Sequence, residues 1–214
     1  QSLINENGER FEFIYDAADR MIEERRVGGT RVTIDYDANG SPVVVTHHPG
    51  IGDDLSALTA DSATAHDQSL RTEFVRDAVG RLIEKRTTAH HYRYSYDKLD
   101  QLIEATKLKV INAADTEEDT PADLQPLHTT RFAYDVLGNL IAETAVDEIT
   151  GETHALEHAH DPLGNRTRTE LPLLPGQPDA RQALNYLYYG SGHLHQINLS
   201  QQHGDAPAIH QLIS

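Results

Sequence analysis

The chain has 214 residues, with 34 acidic against 18 basic side chains and a net charge of −16. That balance argues against a nucleic-acid footprint and against an anionic membrane surface, both of which call for positive charge. It has no cysteine, so neither a disulfide framework nor a zinc–thiolate site can form.

Read along the chain, one short unit returns seven times. It first occurs as Tyr15-Asp16-Ala17-Ala18-Asp19 and then as Tyr36-Asp37-Ala38-Asn39-Gly40. After a polar stretch from 47 to 70 it returns as Arg76-Asp77-Ala78-Val79-Gly80 and Tyr96-Asp97-Lys98-Leu99-Asp100. A second polar stretch, 109 to 128, carries the acidic run Asp115-Thr116-Glu117-Glu118-Asp119 and precedes Tyr134-Asp135-Val136-Leu137-Gly138. The last copies are His160-Asp161-Pro162-Leu163-Gly164 and Tyr188-Tyr189-Gly190-Ser191-Gly192, separated by a loop with three prolines, Pro172, Pro175 and Pro178. Both polar stretches are expected to be long loops projecting from the array, and the proline loop to be extended.

Each residue type in the unit has a reason to be there. An Asp at the first position of a β-turn accepts hydrogen bonds from backbone N–H groups two residues on, and a Gly at the fourth relieves a positive φ. The pair predicts a hairpin closed by a type I turn and a bulge. Pro162 supports that turn, since its fixed φ suits the second position. Asp19 and Asp100 stand in the glycine position and are expected to take the left-handed conformation at some cost. The flanks alternate as half-buried strands do: Phe11, Phe13 and Tyr15 on one face, likewise Tyr92, Tyr94 and Tyr96, or Phe132 and Tyr134. Seven such hairpins predict an all-β, antiparallel meander of about fourteen strands, counted as one array over residues 1–214. A sheet that wide is expected to curl or spiral.

Three chemical readings compete with the turn. Asp35-Tyr36-Asp37-Ala38-Asn39-Gly40 matches the first half of a calcium loop, but the twelfth position is Thr46 and a strand-like Val43-Val44-Val45 follows. The bidentate Glu and the second helix are missing. His154, His158 and His160 form the densest group among thirteen histidines; His158 and His160 fall where other copies place aromatics, and they read as flat substitutes in that row. The recurrent aspartates Asp16, Asp37, Asp77, Asp97, Asp135 and Asp161 sit in equivalent turns, whereas an acid–base pair needs unlike environments. No catalytic, cofactor-binding or metal-ligating residue is assigned, and no cofactor is expected.

Phe132-Ala133-Tyr134-Asp135-Val136-Leu137-Gly138-Asn139-Leu140-Ile141 and Phe74 to Ile83 resemble RHS repeats, also called YD repeats. Tyr189-Gly190-Ser191-Gly192-His193-Leu194-His195-Gln196-Ile197 resembles a segment of bacterial Rhs proteins. The resemblance implies part of a β-sheet shell that encloses a C-terminal toxin in a polymorphic toxin. Such proteins are made in the bacterial cytoplasm and secreted, many by type VI secretion, for competition between cells. Implied partners are the toxin domain, the remaining repeats, and secretion-spike proteins or a chaperone; neither nucleic acid nor a membrane span is implied. The chain then reads as an excerpt of a much larger protein, structural and not enzymatic. Arg76, Asp19, Asp100 and Tyr189 depart from the repeat consensus. His160 to Asn165 resembles part of the family's autoprotease signature, but Leu156 and Asn165 stand where Pro and Leu should be, so an ordinary turn is expected. The related teneurin type suggests a second reading, a carbohydrate-binding or adhesion module with sugars stacked on rows such as Tyr92, Tyr94 and Tyr96.

Overall fold

A computed structural model describes residues 2–4, 6, 10–50, 69–112, 123–173, 181–203 and 206–213. It is almost entirely antiparallel β. The strands are β1 (Ser2–Ile4), β2 (Arg10–Tyr15), β3 (Met21–Arg25), β4 (Arg31–Tyr36), β5 (Pro42–His48), β6 (Leu70–Arg76), β7 (Leu82–Thr87) and β8 (His90–Tyr96). They continue as β9 (Leu102–Asn112), β10 (Asp123–Tyr134), β11 (Leu140–Asp147), β12 (Thr153–His160), β13 (Arg166–Glu170), β14 (Arg181–Tyr188), β15 (Leu194–His203) and β16 (Ala206–Ile213). Their order in the sheet is their order in the sequence, a meander without a crossover. Among the described residues the only helical element is one turn at Val27–Gly29. No helix among the described residues is long and apolar enough to cross a membrane.

Among the described residues the count of sixteen exceeds the fourteen expected by β1 and β16, which flank the fourteen strands of the seven hairpins. Strand runs into both ends of the segment read as a 109–128 loop: β9 continues to Asn112 and β10 begins at Asp123. The alternation Lys107-Leu108-Lys109-Val110 carries strand character past a boundary that composition alone sets too early. Likewise β5 includes His47 and His48, and β6 starts at Leu70. The acidic run Asp115–Asp119, Pro175 and Pro178 lie outside the described residues.

Two compact units make up the chain, one from Gln1–Arg93 with Lys107–Gln125, the other from Tyr94–Thr106 with Pro126–Ser214. Neither has a deep core. Val32, Leu108 and Ala183 are the buried apolar residues among those described, joined by buried Thr129, His158 and Thr169. A one-layer sheet buries its side chains against cross-strand neighbours, so the stabilising elements are the pairs along the ladder.

All seven YD turns close hairpins by the expected geometry. In each, the Gly or Asp at the fourth position donates its N–H to the first residue's carbonyl, as Gly138 does to Asp135 at 3.1 Å. The register slips by one residue just before the turn at Ile14/Tyr15, Asp35/Tyr36, Val75/Arg76, Ala133/Tyr134, Ala159/His160 and Leu187/Tyr188. Asp19 and Asp100 take φ of +58° and +63°, the left-handed conformation expected where glycine is absent.

Candidate functional site: the turn row and its clasps

In the six copies that carry it, the turn aspartate is spent on the turn itself. Asp135 Oδ1 accepts the N–H groups of Leu137 and Asn139, both at 2.9 Å, and its Oδ2 accepts Asn139 Nδ2. The same pair of backbone bonds recurs at Asp16, Asp37, Asp77, Asp97 and Asp161. Where the fifth residue is arginine, its guanidinium takes the second oxygen, Arg20 Nε on Asp16 at 2.7 Å and Arg81 Nε on Asp77 at 2.8 Å. The carboxyl of Asp16 is held below its usual range by the Arg20 backbone N–H and then by the Arg20 side chain. At Asp135 and Asp161 the leading cause of the same lowering is the side-chain amide of Asn139 or Asn165.

In the stretch that matches half a calcium loop, Asp37 Oδ1 accepts the N–H groups of Asn39 and Ser41 as a turn former. Asp161 is likewise a turn former, with Oδ1 on the Leu163 and Asn165 N–H groups. The seventh copy has no aspartate and keeps its turn through backbone bonds alone, Gly192 N–H to Tyr189 carbonyl at 2.9 Å.

Sequence reasoning placed the tyrosine before each aspartate in an aromatic row and missed what its hydroxyl does. Tyr36 Oη donates to the Met21 carbonyl at 2.8 Å, Tyr134 to Leu102 at 2.9 Å, and Tyr188 to Arg166 at 2.9 Å. Each acceptor is the first residue of the neighbouring strand, just past the turn of the preceding unit. Between β3 and β4 the last paired residues toward the turn are Glu23 and Thr33, and between β13 and β14 they are Arg168 and Asn185. The carbonyl beyond therefore lacks a ladder partner, and the hydroxyl supplies one. Arg76, a departure from the YD consensus, does the same work: its Nη1 meets the Pro42 carbonyl at 2.7 Å. His160 is too short, and its buried Nδ1 has no partner. A periodic hydroxyl on an otherwise apolar row was the available signal.

Successive turns also touch through the residue after the glycine. Arg20 lies over the Tyr36 ring at 4.9 Å and reaches the Asp37 carbonyl at 3.3 Å. A methyl group placed on Gly138 would sit 3.3 Å from Gln101 Nε2, and one on Gly164 would sit 3.3 Å from Asn139 Oδ1. An additional turn escaped the repeat search: Asp147 Oδ1 accepts the Ile149 and Thr150 N–H groups, and Gly151 takes φ +75°. Its Asp and Gly are one residue further apart than in the YD unit.

The histidine group is not brought together as a ligand set. His158, with a side chain only 1% exposed, instead joins a polar ladder across four strands. Its Nε2 lies 3.0 Å from Glu143 Oε1 and its Nδ1 3.0 Å from Thr169 Oγ1, which in turn lies 3.4 Å from the Tyr186 hydroxyl. The sequence reading took His158 as a flat aromatic substitute; it is a hydrogen-bonding centre instead. The order hydroxyl, imidazole, carboxylate follows nucleophilic-triad logic, but Thr169 is 4% exposed and offers a substrate no approach. His154 pairs with Glu152 at 3.3 Å. No group of three or more metal-ligating side chains occurs among the described residues.

This geometry defines a YD-repeat sheet in which turn, clasp and stacked neighbour recur together. Solved structures agree: the chain aligns over its whole length with "TcdB2-TccC3-Cdc42" at 13% identity and with "TcdB2-TccC3" at 14%, each at a TM-score of 0.50, covering 13% of those chains. The fold is that of these chains, the all-β antiparallel meander that the resemblance of the Tyr-Asp-x-x-Gly units to RHS repeats implied. In sequence it is 29% identical over 194 residues to double-stranded DNA deaminase toxin A of Burkholderia cenocepacia strain H111, covering 90% of this chain and 12% of that protein. The chain thus spans about an eighth of the relatives it matches. No protein-family model matches it.

Proposed function

We propose that this chain is a non-enzymatic, structural part of an Rhs-type shell that encloses a C-terminal toxin and is secreted for delivery to competing cells. The toxin association rests on the similarity to toxin chains in both sequence and fold. The observation that carries the structural role is the fate of the repeated polar groups. Asp carboxylates close turns, and the hydroxyls of Tyr36, Tyr134 and Tyr188 clasp neighbouring strands, so these recurring polar groups serve to hold the sheet together. Against sugar stacking weighs the Lys85 ammonium, which lies over one face of the Tyr92 ring at 5.3 Å. Partners on this reading are the remaining repeats and the toxin segment of the parent protein, with type VI spike proteins or a chaperone as further candidates.

The test uses the parent polypeptide. Limited proteolysis should spare its C-terminal segment while the repeat region is intact and degrade it when Gly138→Val and Gly164→Val are introduced together. Equal susceptibility in both would sink the enclosure reading. The isolated chain should deaminate neither double-stranded nor single-stranded DNA, and turnover by it would sink the non-enzymatic one.

A further inference from the structure

Charge is unevenly spread along this acidic chain. Between Arg81 and Lys109 there are seven basic and four acidic residues, a positive excess inside a molecule of net charge −16. Register sorts these charges onto two faces. Glu84 gathers Arg86, His91 and Arg93 on one face, at 2.7, 3.5 and 3.8 Å. Lys85 points to the other, directly opposite Tyr92, with its Nζ 5.3 Å from the ring centroid.

Strand β9 adds to that second face. Val110 donates its N–H to the Ala89 carbonyl at 3.5 Å, and running antiparallel from that bond, Lys109 falls beside His90 and Lys107 beside Tyr92. Proximity has an electrostatic signature. Burial first, then Lys107 and Lys109, press the His90 imidazole toward its neutral form. The result is a row of cation, aromatic ring and cation across β7, β8 and β9, all half-buried. Neither Lys85 nor Lys107 has an ion pair among the described residues, while most arginines of the chain do.

We propose that the Lys85, Tyr92 and Lys107 row is a docking strip for an acidic polypeptide segment in extended conformation. Lys85 and Lys107 flank Tyr92 from the two neighbouring strands, roughly 9–10 Å apart, so an extended segment laid across the strands can offer each a carboxylate of its own. Lysine ammonium groups meet single carboxylates as point charges, whereas phosphate recognition favours the planar fork of arginine. A nucleic acid carries one charge every ~1.7 Å, so the surrounding negative charge of this chain would repel it far beyond the strip.

Fluorescence anisotropy of a labelled peptide of alternating Glu and Thr, titrated with the full chain at low salt, tests this. Saturable binding is expected, weakened by about tenfold or more when Lys85→Gln and Lys107→Gln are combined, with Arg10→Gln, a cation remote from the strip, unchanged. Lys85→Arg with Lys107→Arg should retain binding and the wild-type melting curve, which separates lost charge from lost fold. Carbodiimide cross-linking to the wild-type chain should map to Lys85 or Lys107. Cross-links found only elsewhere, binding indifferent to the paired Gln change, or tighter binding of a single-stranded DNA oligonucleotide would each overturn the proposal.

Discussion

Gly138, at φ +85°, and Ala133, in the strand leading to the same turn, bracket what a residue can change here. Gly138→Val should cost about 1–3 kcal/mol in urea unfolding, because a β-branched side chain is forced into the left-handed region. Ala133→Thr should cost less, since the strand accepts a β-branched residue. Asp19 already pays such a strain at φ +58°. Asp19→Gly should therefore raise stability by about 1 kcal/mol, the left-handed penalty removed. The turn carboxylates also set a pH dependence. Asp16, Asp135 and Asp161 have lowered values in the folded chain, so folding holds their ionised form more tightly than the open chain does. Their contribution is complete above the ordinary Asp value near 3.8 and is lost as pH falls through the lower folded values. Urea midpoints should hold steady from neutral pH to about 5 and fall below about 4, and the fall should be shallower in a combined Asp135→Asn, Asp161→Asn variant. The turn chemistry was legible from Asp and Gly at fixed spacing, because both act within five residues. The same reasoning missed Asp147 and Gly151 only because it searched for one spacing.

At the scale of strands and hairpins, the clasp decides how one unit holds the next. Tyr134→Phe removes the hydroxyl from the Leu102 carbonyl and should cost about 0.5–1.5 kcal/mol, more if the carbonyl is left dry. Tyr15→Phe, at an exposed position without such a clasp among the described residues, should be close to neutral. His160→Tyr should gain about 1 kcal/mol, since the longer side chain can supply the bond that the unpartnered imidazole does not. Thermal melts of the three variants side by side check all of this. The polar ladder makes a further prediction. His158→Phe keeps a ring in place but strands Glu143 and Thr169, and should destabilise by about 1–3 kcal/mol. The tyrosine row was visible in the sequence by its period of two, yet its partner was not. The acceptor belongs to another strand, 15 residues away for Tyr36 and 32 for Tyr134, and no local pattern encodes that distance. His158 was misread for the same reason: its partners lie 15 and 11 residues away on β11 and β13.

For the molecule as a whole, a meander whose described strands hydrogen-bond in sequence order behaves as a chain of coupled units. Hydrogen exchange should therefore register Tyr134→Phe mainly in β9 to β11, with β2 and β3 unchanged; uniform loss of protection would indicate one cooperative block instead. The chain's net charge of −16 coexists with the basic row of β7 to β9. What the sequence determined unaided was the hairpin series, the turn type and the left-handed positions, along with the likeness to Rhs repeats, because these follow from backbone torsions and contacts within one unit. The tertiary structure alone decided the tyrosine clasps, the His158 ladder, the strand ends inside 109–128 and the sorting of lysines from glutamates onto opposite faces. Each depends on which residues of separate strands come abreast, and register is fixed by pairing between strands rather than by any segment's own preferences.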